Sequence, residues 1–385
     1  MRITDFEASY LEIPFPEPGM KSAGYGTKKN WGFTLVKLFT DEDIVGIGGQ
    51  EAMWPGGKYH CKIIKEAMKP ILMDKIVDPY NVGRFNAYIR QLFPSTNLSP
   101  RPGSIEMALW DIIGKDVKRP IYKLLGARQH KVKSYINATT KLPRWEPDEI
   151  ANFAINCLET GYRGIKTNIY NSTELRKDLD CVKAIRNAVG DEMDIMVDGQ
   201  TTLSPWGNRK FSYPTALKIA RELEKSDCLW LEDVIPYRIN PDLCKRFAAE
   251  VDILISTGGQ LVGAHAYEWL MHDNVVDVVK PDVMNVGGIS ELVKVADIAE
   301  MYNKLCCPHT GFCPGLITAA TIQAAGATNI PYVESFVEPY ATLEVRDSIL
   351  TEPVKIEKDG CFYIPNKPGL GIELNEENIK KFKVW

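Results

Sequence analysis

No window of this chain approaches the ~18 uninterrupted apolar residues of a membrane span, and no run of Lys or Arg with interleaved aromatics marks a nucleic-acid surface. The formal net charge of −4 and the pI near 5.9 point the same way, so neither membrane nor nucleic acid is an expected partner. The start, Met1-Arg2-Ile3-Thr4-Asp5-Phe6-Glu7, lacks the basic and apolar stretches of a signal peptide. Nine cysteines, an odd number, show no framework spacing, which suits a reducing compartment better than a disulfide scaffold. A cytoplasmic protein is therefore expected. Cys306, Cys307, His309 and Cys313 superficially resemble a zinc cluster, but adjacent cysteines do not easily point at one tetrahedral centre and a second ligand pair is missing.

What is present is an ordinary globular composition, 45% apolar and 25% charged over 385 residues, long enough for two domains. From about residue 130 one pattern recurs: a short apolar run, a turn, then a stretch of helical period. The runs are Val132 to Asn137, Gly164 to Ile169, Asp194 to Asp198, Leu229 to Asp233, Ile253 to Thr257, Val275 to Asp282, Leu305 to His309 and Tyr332 to Glu334. Between them, Pro147 to Thr160, Thr173 to Val189, Tyr213 to Lys225 and Ser290 to Tyr302 repeat apolar residues every three or four positions. Eight such units predict a parallel barrel over 129–340. Periodicity does not report closure, and an open doubly wound sheet shares the alternation, but there is no Gly-rich phosphate fingerprint after the first strand.

The first part, 1–128, reads as an α+β domain: strands at Ile3 to Ile13, Trp31 to Thr40 and Ile44 to Gln50, then helices near Lys58 to Met73, Val82 to Leu92 and Ser104 to Lys115. A Gly- and Pro-rich loop near 15–30 has the composition of a lid or of a plain surface hairpin. In the tail, 341–385, the stretch Val354 to Leu374 is β-rich and is expected to return to the first domain.

The chemistry gathers at strand ends. Asp198 and Glu232 close two apolar runs, and carboxylates there are costly unless paired or bound to a cation. Lys166 and Asn168 share one face of the second strand by alternation. A lysine held near a dication is pushed toward its neutral form and can orient a carboxylate or move a proton. Asp282 and His309 end neighbouring strands, an arrangement in which an aspartate holds one ring nitrogen while the other faces the cavity. Glu334 ends the eighth run and donates to developing negative charge only if its surroundings keep it protonated, a role that an ion pair with a lysine such as Lys280 removes. Tyr25, Asn137, Tyr170 and Trp206 are further candidates to line a polar pocket.

Together these residues resemble the enolase superfamily and, within it, the mandelate racemase-like subgroup and its sugar acid dehydratases. The resemblance rests on Ser104-Ile105-Glu106-Met107-Ala108-Leu109-Trp110-Asp111, Pro120 to Gly126, Asp198, Glu232, Lys280-Pro281-Asp282-Val283 with Gly287-Gly288-Ile289, Pro308-His309, and Pro368-Gly369-Leu370-Gly371-Ile372. It implies an α/β fold, a modified TIM barrel (β/α)7β under an N-terminal α+β capping domain. It also implies Mg2+ on a small carboxylic acid substrate and a homo-oligomer between dimer and octamer. His309, Asp282, Lys166, Asn168 and Glu334 are then the catalytic set, with Asp198 and Glu232 on the metal. Two positions depart from the pattern. Asn168 stands where racemases of this type commonly carry a second lysine, which favours one-base dehydration over racemisation. At the third metal position the chain offers Gly259 or, shifted by one, Gln260, which removes a negative charge from the site. The expectation is dehydration of a sugar acid to a 2-keto-3-deoxy acid; a racemase or epimerase is the alternative, as is a non-catalytic ligand-binding member with an impaired metal site.

Overall fold

The computed structural model describes residues 1–22, 26–52, 57–92, 102–139, 144–169, 174–200, 211–238, 240–311, 313–336 and 342–385. Tyr25, Tyr170 and Trp206 lie outside them. The first domain holds an antiparallel sheet of Ile3–Pro14, Asn30–Thr40 and Val45–Glu51, with the middle segment central. Helices Gly57–Asp74, Val82–Leu92 and Gly103–Asp116 bury Phe6, Val36, Leu38, Ile64, Phe85 and Leu109 against it. Met20–Ser22 and Gly26–Lys28 pair as a short ribbon within the 15–30 loop.

The second domain is a curled parallel sheet. Its eight strands are Lys131–Asn137, Gly164–Asn168, Asp194–Asp198, Trp230–Glu232, Leu254–Thr257, Val278–Val279, Leu305–Cys306 and Tyr332–Ser335. The first seven pair in chain order, and the eighth returns beside the first. Each of the first seven is followed by a helix, the seventh by Gly315–Gly326, while among the described residues the eighth is followed next by the single turn Leu343–Arg346. This is the (β/α)7β form of the TIM barrel. Between the seventh and eighth strands Thr310 closes the wall, its amide donating to Glu334 Oε2 at 3.0 Å and its hydroxyl to the Glu334 carbonyl at 2.8 Å.

Helix starts carry their own signals. Glu146 and Glu149 form a reciprocal capping box before Pro147–Glu159, and the side chains of Ser212 and Asn240 cap Tyr213–Lys225 and Pro241–Glu250. Cys361–Tyr363 adds an antiparallel strand to the first barrel strand rather than to the capping domain, whereas Val384 and Trp385 do reach back to the Tyr10 backbone.

The signature residues of the Gly103–Asp116 helix join the two domains. Glu106, fully buried, accepts from the Ile289 amide at 2.7 Å, the Ser290 amide at 2.9 Å and Trp110 Nε1 at 3.0 Å, and so caps the barrel helix Ile289–Met301. A Cβ on Gly288 would lie 2.1 Å from Glu106 Oε2, which explains glycine there. Burial pushes the Glu106 carboxyl up to about 7 even though these donors oppose the shift. Asp111 likewise holds the amides of Ile47 and Leu370. Glu106→Gln is expected to cost about 1–3 kcal/mol in urea unfolding, because an amide NH2 would then face an N–H donor.

Candidate active site

Strand alternation sorts the barrel interior into layers. Tyr135, Met196, Trp230, Val278, Cys307 and Tyr332 fill the lower part as one apolar cluster. Above it, toward the C-terminal ends of the strands, the same inward faces become polar: Asn137, Lys166, Asn168, Asp198, Glu232, Lys280, Asp282, His309 and Glu334. Eight of these are buried, and the His309 side chain is 30% exposed. The C-terminal mouth of a barrel is where such folds do chemistry. The last strand of the capping sheet comes close to it, since a Cβ on Gly311 would meet Glu51 Oε2 at 2.8 Å.

Lys166 is the hub. Its Nζ lies 2.7 Å from Glu334 Oε1, 3.3 Å from Glu232 Oε2 and 3.6 Å from Asp198 Oδ2. Burial alone would lower its pKa, but the three carboxylates outweigh that and raise it. In this arrangement the three carboxylates thus favour the ammonium form of Lys166.

Glu334 also accepts from Asn137 Nδ2 at 2.6 Å. Burial works to raise its pKa, yet Lys166, Lys280 and His309 hold it well below the usual carboxylate range. In this arrangement Glu334 pairs with Lys166 rather than Lys280 and accepts from the Thr310 amide. Lys280 sits beneath Glu232 at 3.7 Å, donates to the Tyr135 hydroxyl and lies over the Trp230 ring.

Asp198 and Glu232 are register partners on adjacent strands. Burial, and then the neighbouring Glu232 charge, push the Asp198 carboxyl up to about 8, while Lys166 and Lys280 prevail over burial at Glu232 and lower its pKa. A third carboxylate joins them. Asp233 offers an oxygen such that ligand atoms of Asp198, Glu232 and Asp233 all lie within 4.8 Å of one another. Gln260, the sequence candidate for this position, is exposed, and Gly259 lies against the His309 ring. All-oxygen donors this close suit a hard dication such as Mg2+.

Asp282 Oδ2 and His309 Nδ1 are 2.9 Å apart, as the paired strand ends led one to expect. Asp282 is held in turn by the amides of Met284 and Asn285, so it positions the imidazole by one nitrogen and leaves Nε2 for the cavity. Burial would lower the His309 pKa, but the Asp282 bond and the Glu334 charge push it up to about 9. Asn168, 4% exposed, is in register with Asp198, and its Nδ2 has no hydrogen-bond partner among the described residues.

Comparison with known proteins agrees with this layout. Residues 149–378 match the family described as enolase C-terminal domain-like, and residues 15–126 the N-terminal domain of mandelate racemase / muconate lactonizing enzyme. An arabinonate dehydratase of Saccharolobus solfataricus is 30% identical over 279 residues, covering 72% of this chain and 71% of that protein. An N-succinyl-L-Arg/Lys racemase of Bacillus cereus is 26% identical over 403 residues, covering 100% of this chain and 99% of its own. A racemase of Streptomyces coelicolor A3(2), solved with bound magnesium, shares the fold at a TM-score of 0.84 and 23% identity, over 99% of this chain and 100% of that one.

Proposed function

Because this chain belongs to the mandelate racemase / muconate lactonizing enzyme family of the enolase superfamily, we propose that it removes the α-proton of a hydroxy carboxylic acid and dehydrates it, most concretely a sugar acid to a 2-keto-3-deoxy acid. The observation that carries the reading is the His309–Asp282 pair, set on the same mouth as Asp198 and Glu232, with an amide rather than a second lysine at residue 168 beside Asp198. Asp198 and Glu232 would hold Mg2+. The chemistry such a cation supplies when bound is neutralisation of the charge that builds on a substrate carboxylate as the adjacent carbon loses its proton.

The protein groups divide the rest. His309 Nε2 takes the α-proton from the substrate, and Asp282 stabilises the imidazolium that forms. The same imidazolium returns the proton to the departing β-hydroxyl as water, so one residue serves as base and then as acid. Lys166 presents fixed positive charge toward the developing enediolate, its position set by Glu334. Racemisation would need a second base. Asn168, an amide, cannot serve as one.

The test is incubation of the purified chain and Mg2+ with a panel of aldonic and aldaric acids. A semicarbazide-reactive 2-keto-3-deoxy product from one of them is expected. α-Proton exchange with solvent deuterium without such a product would instead support the racemase reading, and neither exchange nor product across the panel would reject the proposal.

A further inference from the structure

We propose that Asp233 is the third cation-binding carboxylate of this barrel, replacing the side chain that the fifth strand lacks; the inference rests on the metal-assisted reading above. The fifth strand turns Leu254 and Ser256 inward and arrives at the mouth as Gly258 and Gly259, with no side-chain oxygen. A Cβ on Gly259 would lie 3.3 Å from Cγ of His309, so the imidazole already crowds the approach that a side chain at 259 would use. Gln260, one residue on, is exposed.

The fourth strand supplies what is missing. Simple alternation would send Asp233 away from the interior after the inward Glu232, but its φ of 48° breaks the alternation, and its carboxylate comes within 4.8 Å of those of Asp198 and Glu232. Thr257, the last residue of the fifth strand, donates its hydroxyl to Asp233 Oδ1 and so ties the two strand ends together through this carboxylate.

An independent feature points to a ligand at the same place. Asn168, Asp198, Glu232 and Ser256 stand in register across four neighbouring strands. The two ends of this row are buried polar side chains, 4% and 1% exposed, and Asn168 Nδ2 and Ser256 Oγ have no hydrogen-bond partner among the described residues. Both face inward, because Lys166 on the Asn168 face and Glu232 beside Ser256 meet inside the barrel. A buried donor is costly to leave unpaired. Asn168 Nδ2 calls for an acceptor oxygen, and a cation on the neighbouring acids would bring one there, as water or as part of a substrate.

The experiment is calorimetric titration of magnesium chloride into the metal-stripped full chain, without substrate. Wild type is expected to bind, Asp198→Asn to lose binding, and Asp233→Asn to weaken it at least tenfold with an unchanged Tm. Should Asp233→Asn not fold, Thr257→Val carries the test: it keeps the carboxylate but removes its anchor, and a several-fold weaker affinity is expected. Affinity within twofold of wild type in the folded Asp233→Asn chain, or in Thr257→Val where that chain takes its place, overturns the inference and leaves the proposed reaction standing. A wild-type chain that binds no magnesium overturns both.

Discussion

His309→Asn is expected to lower kcat on a turned-over acid by about 10³- to 10⁴-fold, the upper range for loss of a general acid–base group, with little change in Tm. The substitution is chosen for what it spares. An asparagine amide can still donate to Asp282 Oδ2, so the buried aspartate keeps a partner, and Asp282 continues to cap Val283–Val286 through the amides of Met284 and Asn285. What disappears is a nitrogen able to accept a proton toward the cavity. Because the same imidazole would both take the α-proton and return it to the leaving hydroxyl, exchange of the α-hydrogen with solvent deuterium should fall together with product formation. Exchange surviving at the wild-type rate while dehydration stops would identify a second base, with Lys166 the first place to look.

Much of this site is legible in the sequence because barrel chemistry follows the period of a strand. The apolar runs ending at Asp198, Glu232, Asp282 and His309 announce both the strands and the direction of their last residues, and Lys166 and Asn168 share a face for the same reason. Asp233 escapes that logic. It follows an inward residue and so reads as outward, until a left-handed backbone turn that no local pattern announces brings it back. Gln260 fails in the opposite sense: the chain turns at Gly258, with φ of 118°, and leaves residue 260 exposed. The setting of Glu334 is a third case. It depends on Lys166 from the second strand and Asn137 from the first, groups nearly 170 and 200 residues away that meet only when the eighth strand returns beside the first. Glu106 and Asp111 were visible as part of a signature, but their work as the joint between domains appears only with the amides they cap.

Lys166→Met should be among the most destabilising substitutions in the barrel, by about 3–5 kcal/mol at neutral pH in the presence of a chelator, the cost of stranding a buried charge whose partner is removed. Methionine nearly fills the volume of the lysine stem, so packing is largely kept and electrostatics dominate. In wild type the folded-state pKa of Glu334 is depressed by Lys166, which means that its stabilising contribution is present above the unfolded value of about 4.3 and is lost only as the pH falls toward the lower folded value. Without the ammonium, burial takes over. The folded-state pKa of Glu334 then lies above its unfolded value, and that of Asp198, already pushed up to about 8 by burial and Glu232, rises further. A carboxyl with a raised folded pKa favours folding below its unfolded pKa and gives up that contribution as the pH climbs through the folded one. The stability gap between wild type and Lys166→Met, measured by urea unfolding, is therefore expected to widen from pH 5 to pH 8. A gap that stays constant or narrows over that window would mean that Lys280 and the hydrogen bonds from Asn137 and Thr310 suffice to hold the carboxylates ionised, and that Lys166 is placed at the mouth for the substrate rather than for the fold.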